Sequence, residues 1–120
     1  MKKTLLMVAA LSLCSSMVWA KSDQAILAEA QKNTVSVAQA KKMPDETGVT
    51  LTGKIVRQLK VQGDEFEFGD KTGNIIVDID DKHWRKLGLK AGDRVRLIGE
   101  VDTHRTKPTE IEVIRIDKLK

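Results

Sequence analysis

Apolar and polar residues change their period along this chain, and each change marks an element. An apolar stretch, residues 5–13, broken only by Ser12, follows Lys2 and Lys3. Residues 21–34 (KSDQAILAEAQKNT) are polar apart from Ala25, Ile26, Leu27 and Ala28. They support a short helix and a flexible leader equally, because so short a segment cannot stabilise itself. Ser36, with Gln39 three residues on, has the form of a capping box. It opens a predicted helix carrying Val37, Ala38, Ala40 and Met43, which Pro44 ends. From Val49 the period becomes two. Val49, Leu51, Gly53 and Ile55 alternate with Thr50, Thr52 and Lys54, the signature of a half-buried strand. After a hairpin loop at 61–64, Phe66 and Phe68 alternate with Glu65 and Glu67. A tight turn at 70–73 leads to a third strand, where Ile75, Val77 and Ile79 alternate with Asn74, Ile76, Asp78 and Asp80. Asp81 is placed to cap a short helix, residues 82–87, that contains Trp84 and stops near Gly88. Val95, Leu97, Gly99 and Val101 form a fourth strand. Ile111 and Val113 begin a fifth, whose alternation slips at Ile114 and Ile116 and predicts a bulge or an early end there.

Strands and helices thus follow in the order β-β-β-α-β-β behind a short helix. Five strands with one helix between the third and fourth is the layout of an OB-fold, a small Greek-key barrel whose helix plugs one end. An SH3-like barrel or an irregular sandwich is the rival. Gly53 and Gly99 read as backbone devices where strands bend, Gly53 marking a bulge or sharp coil. Trp84 reads as the plug rather than as an exposed stacking platform.

Composition changes this picture at the N-terminus. The chain has 120 residues, one Cys and a net charge of +4. Residues 1–20 have a basic start, an apolar run too short to span a bilayer, and Val18 and Ala20 three and one before a cut after Ala20. They predict an export signal, with residues 21–34 as leader and 35–120 as the OB-fold domain. A lipoprotein signal on Cys14 is the rival, against which Leu13 stands where a small residue is wanted. Removing 1–20 leaves 19 bases against 17 acids, a net +2, and no cysteine. That excludes an intramolecular disulfide, a CxxC pair and a Cys-rich zinc site, and it suits an oxidising compartment.

The runs VAQAKKMPDETGVTLTGKIVRQL, FEFGDKTGNIIVDIDDKHW, DRVRLIGEVD and EIEVIRIDKL, across residues 35–119, resemble the bacterial OB-fold (BOF) family of exported stress-tolerance proteins. The shared features are a short helix, a V-x-L-x-G-x-I strand, an aromatic second strand ending in D-x-[ST]-G, and an I-x-V-x-I-D strand leading to a Trp. The resemblance implies a periplasmic, non-enzymatic binding protein of Gram-negative bacteria, tied to oxidative and envelope stress. The chain departs from many relatives in lacking a Trp in the last loop, where it has His104-Arg105-Thr106-Lys107-Pro108.

OB-folds bind ligands on the face of strands 2 and 3, rimmed by the loops joining strands 1–2 and 4–5. Alternation puts Thr50, Thr52, Lys54, Glu65, Glu67, Asn74, Ile76, Asp78 and Asp80 outward, with Gln62, Asp64, His104, Arg105 and Lys107 on the rim. The predicted ligand-binding set is Thr50, Thr52, Lys54, Glu65, Glu67, Ile76, Asp78, Asp80, His104 and Arg105. Residues 61–81 hold seven acids and one base, net −6, between flanks of +3 (21–60) and +5 (82–120). A single-strand nucleic-acid binder needs a cationic groove with aromatic platforms. Here the groove has the wrong sign, and both Phe residues belong to the core; reversing the faces would bury Glu65, Glu67 and Asp78. The expected partners are a cationic peptide, an envelope protein or amino-bearing cell-wall glycan, with a merely solvated face equally compatible. Ile76 among the acids favours a binding face. No nucleic acid, membrane span or cofactor is expected, and the chain is read as a monomer or weak dimer. Asp78, Asp80 and Asp81 lack a calcium-loop pattern, and His83 and His104, without ligand spacing, read as surface residues. Ser22 and Ser36 precede the barrel, and nothing marks Glu65 or Glu67 as a buried acid. A nucleic-acid module and an envelope glycan hydrolase are the alternative functions.

Overall fold

In the computed structural model, which describes residues 21–59 and 64–120, the period-two segments become five strands. They are β1 (Gly48–Gln58), β2 (Glu65–Asp70), β3 (Gly73–Asp78), β4 (Arg94–Asp102) and β5 (Glu110–Lys118). Three helices accompany them among the described residues: α1 (Asp23–Ala30), α2 (Val37–Ala40) and α3 (Asp81–Leu87). The export signal read at 1–20 and Gln62 in the first hairpin loop lie outside the described residues. Among those described, no helix is long and apolar enough to cross a membrane.

The sheet closes as a barrel in the order β1-β2-β3-β5-β4. All pairings are antiparallel except β3 with β5, which is parallel. This is the five-stranded Greek-key OB barrel that the strand order predicts. Val49, Leu51, Ile55, Phe66, Phe68, Val77, Val95, Leu97 and Ile111 fill its interior. The slip in β5 is a bulge. Ile98 pairs with Arg115 and Gly99 with Val113, so Ile114 is the extra residue and Val113 and Ile116 both turn inward. In β1 the register shift falls between Ile55 and Arg57 rather than at Gly53, which instead lies close against the Gly69 carbonyl and the Phe68 ring. The extra residue throws Arg57 outward opposite Glu67.

The leader is ordered as α1. Ser22 caps it, its Oγ accepting from the Ala25 N–H at 3.2 Å. Eight residues are marginal alone, so the helix depends on docking. Ile26 and Ala30 are buried, and the Glu29 carboxylate accepts from the Gly48 N–H at 2.8 Å. α2 keeps the expected capping box, Ser36 Oγ accepting from Gln39 N–H and Gln39 Oε1 from Ser36 N–H. It ends at Ala40, short of Pro44; Met43 packs on the core from the turn beyond. In α3 the cap is Asp80, not Asp81, because β3 stops at Asp78 and the Asp80 carboxylate accepts from the Lys82 N–H. Trp84 packs against the core edge-on to Phe66, the ring centroids 5.8 Å apart.

The turn between β2 and β3 fastens α2 to the barrel. Asp70 Oδ2 accepts from Val37 N–H at 2.9 Å, Oδ1 accepts from Thr72 N–H and Oγ1–H, and Thr72 Oγ1 accepts from Ala38 N–H. Burial opposes the charge on Asp70, but the hydrogen bonds from Thr72, Val37 and Gly73 outweigh it and hold the carboxyl below its ordinary range. Asp70→Ala is therefore expected to cost about 1–3 kcal/mol, read as a lower urea midpoint at unchanged slope.

Candidate functional site

The β2–β3 face carries a hollow of about 350 Å³. Glu67 and Ile76, directly opposed on β2 and β3, lie in it with Asn74 and Ile75. Arg57 and Leu59 rim it from the end of β1, Pro108 and Thr109 from the loop before β5, and Lys41 from the turn after α2. Both oxygens of Glu67 are engaged: Arg57 Nε donates to Oε1 at 2.9 Å and Asn74 Nδ2 to Oε2 at 2.9 Å. These bonds, Arg57's first, hold Glu67 below the ordinary carboxylate range. The hollow is thus apolar with a neutralised polar cluster. Its size is at the small end of ligand pockets, fitting one side chain or one sugar-sized group.

A row of carboxylates lies beside it. Glu65 faces Asp78 across β2–β3, Asp78 faces Glu112 across β3–β5, and Glu112 faces Glu100 across β5–β4. Four carboxylates therefore stand in one row across four strands. In the neighbouring row Ile76 faces Glu110, and Glu110 faces Asp102. Burial, then the charges of Asp64, Glu112, Glu110 and Glu65, push Asp78 above its ordinary pKa. Burial, then Glu112, Glu46, Asp102 and Asp45, push Glu100 up. A smaller hollow of about 210 Å³ at the end of the row adds Asp23, Asp80, Lys82 and His83. Like charges directly opposed destabilise a sheet, so the row is a strained arrangement.

Sequence counting missed Glu100, Asp102, Glu110 and Glu112 because they belong to a segment of net +5. The signal was available in the outward alternation of the last two strands, joined to the parallel β3–β5 contact that a Greek key requires.

Several predicted site residues lie elsewhere. Thr50 is buried beneath the leader: its hydroxyl donates to the Ala30 carbonyl at 2.8 Å, and its N–H to the Asn33 carbonyl. It is unavailable to a ligand because α1 docks over β1. Thr52 and Lys54 line a separate hollow with Lys71 and Arg94. Asp80 caps α3, its carboxylate accepting from Lys82 N–H, and lines only the smaller hollow at the end of the row. Arg105 is exposed in the loop, which gives the main hollow Pro108 and Thr109 instead. His104 is no free surface residue; its Nε2 stands 3.5 Å from Asp102 and 3.4 Å from Glu110. Asp64 accepts from the Trp84 indole N–H at 3.1 Å. Glu65, Glu67, Ile76 and Asp78 are the predicted residues that the fold brings together.

A model of the bacterial OB fold (BOF) protein family matches residues 19–118. Protein YgiW of Escherichia coli K12 is 34% identical over 131 residues, covering 99% of this chain and 98% of that one. The calcium-regulated OB-fold protein CarO of Pseudomonas aeruginosa is 41% identical over 73 residues, 61% of either chain. The solved structure of the hypothetical protein ygiW from E. coli superposes with a TM-score of 0.65 at 38% identity, covering 72% of this chain and 90% of that one.

Proposed function

The chain belongs to the bacterial OB-fold (BOF) family, and from that premise we propose that it is a non-enzymatic periplasmic binding protein that captures a cationic ligand. The ligand is a basic peptide, a basic patch on an envelope protein, or amino-bearing cell-wall glycan. An apolar or sugar portion enters the hollow at Ile76, Leu59 and Pro108, and the positive charge sits over Asp78 and Glu112. Capture of such ligands serves tolerance of envelope and oxidative stress, the role that the family resemblance implies. Export to the periplasm rests on the signal pattern of residues 1–20.

The observation that carries this reading is the row Glu65–Asp78–Glu112–Glu100, in register on adjacent strands. A focused field of one sign raises the local concentration and capture rate of oppositely charged ligands. The same field repels a phosphate backbone, which argues against the nucleic-acid alternative.

A labelled oligo-lysine peptide, titrated by fluorescence anisotropy, is expected to bind with a Kd on the order of micromolar that weakens steeply between low and physiological salt. A glutamate peptide of equal length is expected not to bind. Reversing Glu65, Glu67 and Asp78 to lysine abolishes capture of the cationic probe if the reading holds. Sub-micromolar binding of a single-stranded oligonucleotide, or unchanged peptide capture by the reversed variant, overturns it.

A further inference from the structure

We propose that Asp102, His104 and Glu110 form a binding site for a divalent transition-metal cation, with zinc the expected occupant. Asp102 ends β4, Glu110 begins β5, and the two are directly opposed. The loop between them folds His104 back over the pair. One ligand atom from each of the three residues lies within 4.8 Å of the other two.

The imidazole is what separates this site from the acidic surface around it. His104 Nε2 is buried and makes no hydrogen bond. It stands 3.5 Å from Asp102 Oδ2 and 3.4 Å from Glu110 Oε2. A charged N–H···O bond would be about 2.7–2.9 Å, so both separations are longer than a hydrogen bond from the imidazole to either carboxylate. They match the ligand–ligand edge of a tetrahedron. Metal bonds of about 2.0–2.1 Å give edges of about 3.3–3.4 Å. A cation between the three atoms would satisfy Nε2, with the third edge, between the two carboxylates, no longer than 4.8 Å before it closes on the ion.

The donor set selects the class of metal. One imidazole nitrogen with two carboxylates suits zinc and its neighbours. Calcium takes about six to eight oxygens, which three side chains including a histidine do not supply. Three protein ligands leave a fourth position for water or a donor from a bound ligand.

The ligands are held in place. Only 9% of the Glu110 side chain is exposed. The Thr103 N–H donates to Asp45 Oδ1 at 2.9 Å, which fixes the backbone just before His104. One group competes: Lys107 Nζ lies 3.3 Å from Glu110 Oε2, but its side chain is largely exposed and free to swing away. The metal would also act on the proposed ligand hollow, because Pro108 and Thr109 on the same loop rim it. This proposal does not depend on what that hollow binds.

The test uses tag-free protein stripped with chelator, titrated with Zn²⁺ by calorimetry in a non-coordinating buffer, with Co²⁺ absorption reporting the geometry. Binding of one ion with a Kd of about 10 µM or tighter is expected. His104→Ala weakens binding at least about tenfold, and the thermal midpoint of the metal-free variant, measured alongside, separates lost ligation from lost packing around the largely buried imidazole. Lys107→Gln removes the competing cation and tightens binding several-fold. His83→Ala changes nothing. Failure of the wild-type protein to bind one Zn²⁺ below about 100 µM, or His104→Ala binding as tightly as wild type, overturns the site. Ca²⁺ binding tighter than Zn²⁺ overturns its assignment to a transition metal.

Discussion

Replacing Gly99 with alanine is expected to destabilise the barrel by about 3 kcal/mol or more, a large share of the 5–15 kcal/mol that a domain of this size holds. The reason is backbone against backbone. Gly99 lies in β4 at the point where the register to β5 shifts. A Cβ there would collide with the Glu112 carbonyl oxygen and come within 3.0 Å of the Glu112 carbonyl carbon and of Val113 Cα. None of these atoms is the end of a flexible side chain, so relief requires moving β5 away from β4. That shift would open the bulge that turns both Val113 and Ile116 into the core. For a domain of about 100 residues the thermal midpoint should fall by roughly 12–24 °C. A change below about 1 kcal/mol in urea unfolding would mean that β5 floats on β4 and that the bulge does not set the barrel's closure.

The barrel was legible in the sequence because one side of each strand is wet. Phe66 and Phe68 set against Glu65 and Glu67 leave only one way to face the core, and the adjacent apolar pair Val113-Ile114 exposed the bulge. The register shift in β1 was misplaced because Gly53 is the more familiar bulge residue, although its role is close approach to β2. Helix α1 could not be read locally, because its order comes from burying Ile26 and Ala30, a tertiary effect. Asp80 and Asp81 differ by one position, within the ordinary uncertainty of a helix start. The acid row was invisible to charge counting for a different reason. Its members are neighbours across strands, and a count along the chain averaged Glu100 and Glu112 with the lysines and arginines of their own segment. His104 carries no metal-ligand spacing, because its partners flank a loop whose closure only the fold reveals.

Neutralising the row is expected to make the protein more stable and less able to capture a cation, and that opposition separates a binding face from a solvated one. Asp78→Asn, Glu100→Gln and Glu112→Gln together remove the direct like-charge pairings along the row. Each relieved pairing is expected to stabilise by about 0.2–1 kcal/mol, less than additively because the three are neighbours. The thermal midpoint should rise by about 4–8 °C per kcal/mol. The pH dependence fixes the sign. Asp78 and Glu100 have raised carboxyl pKa values in the folded chain. Between the unfolded and folded pKa the native state binds more protons, so their contribution is present at low pH and lost as pH rises through the folded value. Glu29, Asp70 and Asp93 are lowered and act in the opposite sense, contributing above the unfolded pKa and losing that contribution as pH falls. The triple variant should therefore gain most at neutral pH, and its advantage should shrink as pH falls and Asp78 and Glu100 take up their protons. Capture of the oligo-lysine probe should weaken at least about tenfold, equivalent to ~1.4 kcal/mol, and lose most of its salt dependence. A stabilised variant that still captures the probe at wild-type strength would make the row a solubilising surface and nothing more. A variant that loses capture while gaining stability would show that the native chain keeps an unfavourable charge arrangement at its binding face, the usual trade between stability and function.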